Sequence, residues 1–267
     1  MNTAMAIISH AVRMLTYDTR TTLQILLPPL ALVVGSAAAA AVLAPSALHL
    51  LYIQVPNDDL PTVASLAVLL GLGIIGLTGY ALMAILWHRH VLLNGDARSA
   101  ALRPDVPTVF SYLWRATLVG LVQMLVSIPI AFAMALVGGA ALSTGASPSL
   151  LIFVVLGVLS GVLFLWVALR ISMVLPAAAM GQKMRIAESW QITASAATPI
   201  LGAALILALL NGVISLAATT LLPDAPGIRL VIETVIYALE GLVFISVLTT
   251  LYGHLVEGRP LHQPTEE

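Results

Sequence analysis

Apolar residues in this chain run in long stretches separated by short clusters of charge, without the period-two alternation that marks barrel strands. A helix needs about 20 predominantly apolar residues to cross a hydrocarbon layer. Six stretches reach that length, at about 22–44, 62–87, 116–142, 149–172, 199–222 and 229–254. In lipid every backbone amide must be satisfied within the chain, so these runs of Leu, Ala and Val read as helices. The pattern predicts an all-α, polytopic membrane protein, a six-transmembrane-helix bundle forming a single integral membrane domain over residues 1–267.

Ahead of the first span, residues 3–20 put Ile8, Val12 and Leu15 on one helical face and Ser9, Arg13, Thr16 and Arg20 on another. That is the pattern of a short N-terminal helix lying in the membrane interface. Pro28 and Pro29 fall near the expected start of the first span, where a missing amide is tolerated or a kink results. Its apolar run exceeds the 7 to 15 residues of a typical signal core, so it is expected to remain in place.

Composition agrees: 60% of residues are hydrophobic and 9% charged, against roughly 25% charged in soluble domains. The charges that remain sort by loop. Arg13 and Arg20 precede the first span, Arg89, Arg98, Arg103 and Arg115 follow the second, Arg170, Lys183 and Arg185 follow the fourth, and Arg259 follows the sixth. Arg229 stands on the other side with the acidic Asp58, Asp59 and Asp224. Excess Lys and Arg marks cytoplasmic segments, which places both termini in the cytoplasm of a bacterial inner membrane, multi-pass. A net charge of -1 leaves no basic surface for nucleic acid, and the absence of cysteine removes disulfides and thiolate chemistry.

The most individual segment runs Leu169-Arg170-Ile171-Ser172-Met173-Val174-Leu175-Pro176, followed by Glu188-Ser189-Trp190. It resembles uncharacterised bacterial six-span proteins related to the membrane domain attached to some glycerophosphoryl diester phosphodiesterases, where a comparable R-x-S-x-x-x-P run precedes an "ESW"-like helix. Trp87-His88-Arg89-His90-Val91-Leu92-Leu93 is similar to a segment of the same group. The resemblance implies a fold rather than an activity, because the segments between spans are too short for the roughly 250 residues of a catalytic barrel.

Read without any family, Arg170 closes the fourth span, where its guanidinium reaches either head-group phosphate or a neighbouring helix end. Pro176 and Gly181 are expected to break the helix. Ile186, Trp190 and Thr193 then share a face, suiting an interfacial helix with Trp at head-group depth. This is either a structural elbow between spans four and five or a head-group site formed by Arg89, Arg170, Lys183, Arg185 and Trp190.

A charge at mid-membrane is costly, which singles out Glu240. Glu233 lies seven residues earlier on the same helical face, Asn211 is at similar depth in the fifth span, and Gln123 with Ser127 adds a polar stripe to the third. These residues make either an internal polar path or interhelical hydrogen bonds. His88 and His90, spaced i and i+2, point to different sides of a helix and lack a companion ligand, so no metal site is expected. Gly73, Gly76, Gly79 and the Gly157/Gly161 pair suggest close helix packing. No cofactor or nucleophile motif is present.

The sequence therefore predicts a non-enzymatic membrane protein that organises lipid or a partner membrane protein, or a second copy of itself, through basic cytoplasmic elbows. The alternative is a small transporter or permease subunit using Glu240, Glu233, Asn211 and Gln123. An integral enzyme of lipid metabolism rests on the family analogy alone.

Overall fold

A computed structural model describes residues 2–48, 50–52, 60–93, 103–143 and 150–261. All regular structure among them is helical: α1 (Asn2–Tyr17), α2 (Thr19–Leu43), α3 (Pro45–Leu48), α4 (Val63–Leu92), α5 (Val106–Ser143), α6 (Leu150–Ile171), α7 (Val174–Ala179), α8 (Ile186–Ile192), a 3-10 turn (Thr193–Ala196), α9 (Ala197–Leu221) and α10 (Pro226–Leu255). Six segments are long and apolar enough to cross a membrane: Thr19–Leu43, Val63–Leu92, Val106–Val137, Val154–Ala179, Ile186–Leu221 and Pro226–Leu255. The chain is thus an all-α, polytopic membrane protein with an N-terminal helix ahead of its first span. Arg98, Asp58 and Asp59 lie outside the described residues.

The chain forms two compact units. The first holds Met1–Val12, Phe110–Ile214 and Val247–Glu267, and the second holds Arg13–Val109 and Ser215–Ser246.

In the second unit, α2 and α4 pack along each other. Asp18 separates α1 from α2: its carboxylate accepts from the Thr21 amide (3.1 Å) and hydroxyl (2.6 Å), an N-cap that satisfies a helix-end donor and holds the Asp18 carboxyl below its usual range. Because α2 begins at Thr19, Pro28 and Pro29 sit inside the helix rather than in its first turn, leaving the carbonyls four residues earlier without their amide partners. Small residues set the α2–α4 spacing. A Cβ on Gly79 would lie 3.0 Å from Val33 Cγ2 and 3.2 Å from the Pro29 carbonyl, and one on Gly76 would lie 2.7 Å from the Ser36 hydroxyl. With lipid as apolar as leucine, close backbone approach is the main source of helix association. Gly227 against Ala41 and Gly241 beneath the Tyr80 ring hold the part of α10 up to Ser246 in the same unit by the same device.

In the first unit, α1 buries Ala4, Ile7 and Ala11, spaced i, i+3 and i+7. A Cβ on Gly202 of α9 would come within 2.8 Å of Ala4 Cβ. The face expected to meet the interface stays outward: Val12 is exposed and Ile8 and Leu15 are partly so. α1 therefore offers one apolar stripe to protein and a second to its surroundings. Val119, Val167, Ile171 and Val174 form an apolar core joining α5, α6 and α7, with Trp166, Met184 and Ile186 packed against it. A Cβ on Gly161 would lie 3.6 Å from Ala208 Cβ, in ordinary contact, whereas one on Gly157 would meet nothing within 4 Å among the described residues.

Candidate functional site

The elbow between α6 and α8 belongs to the first unit and is built around Arg170. A helix leaves its last carbonyls without amide partners, and the Arg170 carbonyl is one of these. It accepts a 2.6 Å hydrogen bond from the Ser189 hydroxyl. The same hydroxyl accepts from the Met173 amide at 3.2 Å, diverting that amide from the α6 ladder. Both Ser189 and Met173 are fully buried. One hydroxyl thus ends α6 and fixes the approach of α8.

The Arg170 side chain turns toward the same helix. It is 5% exposed; its Nε donates to Thr193 Oγ1 (3.2 Å) and its Nη2 to the Trp190 carbonyl (2.9 Å). Thr193 in turn donates to the Ser189 carbonyl at 2.9 Å. The guanidinium carbon lies 3.6 Å from the Trp190 ring centroid and 5.1 Å from that of Trp166, and the two indoles meet edge to face at 5.6 Å. A guanidinium stacked on indole gains about 2 kcal/mol when removed from water. Of the two destinations open to Arg170 in the sequence, it takes the neighbouring helix end.

The surrounding loop is tied down in the same way. Arg115 Nη1 donates to the Val174 carbonyl (3.3 Å) and the Gln182 carbonyl (2.7 Å). The hydroxyl of Tyr252, a buried residue, donates to Gln182 Oε1 at 2.7 Å. Gly181 turns the chain with φ of 72°, a conformation that L side chains rarely adopt. Pro176 does not break the helix as expected. It occupies the first turn of α7, where the absent amide is harmless, and the break falls at Ser172–Met173. Thr193 also departs from the expected lipid face, being fully buried beneath Arg170.

Lys183 and Arg185 are left facing outward. Both are exposed and neither forms an ion pair among the described residues; Glu188, three residues on, accepts instead from the Arg185 amide at 3.3 Å. Trp190 shows its outer edge, 37% exposed. Arg89, in the second unit, donates to Thr108 Oγ1 at 3.4 Å beside Asp105.

Of the residues of the expected polar path, Gln123 and Asn211 belong to the first unit and Glu233 and Glu240 to the second. Gln123, buried on α5, donates to the Phe164 carbonyl at 2.9 Å, while its Oε1 has no hydrogen-bond partner among the described residues. Asn211 lines a cavity of about 450 Å³ with Ser127, Ser160 and Phe164 in this same unit. Glu240 belongs to the second unit and makes no hydrogen bond or ion pair among the described residues; Tyr80 lies over its neighbour Gly241. Glu233 is committed near the start of α10, with Oε1 accepting from Arg229 Nε (2.8 Å) and Oε2 from the Tyr52 hydroxyl (3.1 Å). Burial, together with that hydrogen bond, pushes the Tyr52 phenol up to about 12, so Tyr52 remains a donor throughout the neutral range. Arg229 and Tyr52 were the partners sequence reasoning missed. An i, i+4 Arg–Glu pair was a signal for the first, while nothing local pointed to a tyrosine 181 positions away.

No group of three metal-ligating side chains occurs among the described residues. Comparison with protein-family models, curated proteins and solved structures finds no match to this chain.

Proposed function

We propose that the protein is a non-enzymatic, multi-pass protein of the bacterial inner membrane that organises anionic lipid through the basic elbow between its fourth and fifth spans. One observation carries this reading: the buried Arg170 stack holds the elbow from within, leaving Lys183 and Arg185 exposed and without an ion pair among the described residues, in the same segment as the part-exposed Trp190. The sorting of basic residues by loop puts this surface on the cytoplasmic side, where anionic lipids attract each nearby Lys or Arg by about 1 kcal/mol. Kinship with the membrane domain attached to some glycerophosphoryl diester phosphodiesterases belongs to the same proposal and rests on the two short stretches that carry it.

The division of labour gives a separable expectation. Lys183→Ala with Arg185→Ala removes about 2 kcal/mol of attraction, roughly thirtyfold in anionic-lipid retention, without lowering the melting temperature. Native mass spectrometry after gentle extraction reads the retained lipid directly. Retention equal to that of the unaltered protein overturns the lipid role of the elbow, and a stoichiometric protein partner in place of lipid would replace it with a scaffolding role.

A further inference from the structure

In the second unit, α2, α4 and the start of α10 enclose a groove of about 760 Å³. Its walls are aliphatic, with Val33 and Ala40 on α2 and Leu66, Leu70 and Leu77 on α4. Along α4 the groove runs from Leu66 to Leu77, about 16 Å at 1.5 Å per residue, half of the roughly 30 Å hydrocarbon core. A partner transmembrane helix would occupy the full thickness; one leaflet's depth matches an acyl chain.

The mouth is polar. Leu51 and Leu230 line the groove, and the residues adjacent to them in sequence, Tyr52 and Arg229, begin a charged cluster. Arg229 lies 5.8 Å over the Tyr52 ring, donates to Glu233, and sits 3.9 Å from Asp224, whose side chain is 99% exposed. Glu233 has both oxygens engaged. What remains is a cation with spare N–H donors beside a carboxylate in water, an arrangement complementary to a phosphate next to an ammonium group.

We propose that this groove holds one acyl chain of a zwitterionic glycerophospholipid with a primary-amine head group, its phosphate on Arg229 and its ammonium on Asp224. The site uses residues distinct from the elbow, so Lys183→Ala with Arg185→Ala leaves it intact.

The purified full-length chain is exchanged with equal amounts of phosphoethanolamine, phosphocholine and phosphoglycerol lipids bearing identical acyl chains, and native mass spectrometry reads what remains. The expected result is stoichiometric lipid with phosphoethanolamine favoured about tenfold, a difference of about 1.4 kcal/mol. A Cβ on Gly73 meets nothing within 4 Å and points to open space at the groove wall. Gly73→Phe therefore fills the groove and removes the lipid while the melting temperature holds. Asp224→Asn, an exposed change, keeps the lipid and levels the head-group preference. Equal retention of the three head groups by the unaltered chain, undiminished lipid on folded Gly73→Phe, or a second protein chain in place of lipid overturns the proposal.

Discussion

Arg170→Ala lowers stability by about 3 to 4 kcal/mol, among the largest effects expected of a single substitution here. Two contributions combine. The guanidinium loses its stack between Trp166 and Trp190, and the hydrogen bonds to the Trp190 carbonyl and Thr193 hydroxyl disappear, each charge-assisted bond contributing about 1.5 to 3 kcal/mol. The Trp190 carbonyl keeps the Thr193 hydroxyl as a donor at 3.1 Å, so what it loses is the charge-assisted bond. Arg170→Lys recovers little, because an ammonium cannot reproduce the planar fork or stack in the same way. Thermal unfolding in one detergent, without added lipid and followed by intrinsic tryptophan emission, checks this. A variant that melts with the unaltered chain but retains less anionic lipid would return Arg170 to a head-group role.

Gly79→Leu separates α2 from α4. The first added carbon already meets Val33 Cγ2, the Pro29 carbonyl and Leu32 Cβ at 3.0, 3.2 and 3.3 Å, and the rest of the side chain has nowhere to go. The backbone carbonyl cannot rotate away as a side chain can, so the helices must move apart. Overpacking costs about 1 to 3 kcal/mol and occasionally more; the upper end is expected because this contact recurs at Gly76 along the same pair. Gly71→Leu on the same helix is the control, since a Cβ there meets nothing within 4 Å. Denaturant midpoints in detergent distinguish them: Gly79→Leu falls and Gly71→Leu stays close to the unaltered chain. Equal midpoints for the two would contradict the packing role of Gly79.

The spans were legible because apolar length and charge spacing are properties of the local sequence. Their ends were less so. The third span was expected from residue 116, yet α5 starts at Val106, because a helix continues past the hydrocarbon boundary wherever no residue breaks it. Pro176 misled because a proline stops a helix or begins one according to position alone, and what decides its position is a buried hydroxyl on Ser189, well along the chain. The elbow was visible as an Arg, a Pro and a Trp in unusual company. Which of its cations turn inward was not, since Arg170, Lys183 and Arg185 are alike in charge and differ only in what the fold brings beside them. Glu233 and Glu240 illustrate the same limit: helical periodicity placed them on one face, while Arg229 and Tyr52 engage the first alone.

The chain contains no cysteine, so single-cysteine labelling tests the placement of the basic elbow most directly. Lys183→Cys and Asp224→Cys are both at exposed positions, with the fifth span between them. A membrane-impermeant maleimide applied to intact cells stripped of their outer membrane should label Asp224→Cys at once and Lys183→Cys only after the membrane is opened. Labelling of Lys183→Cys from outside, or of both positions from the same side, would contradict a cytoplasmic elbow carried by six crossings.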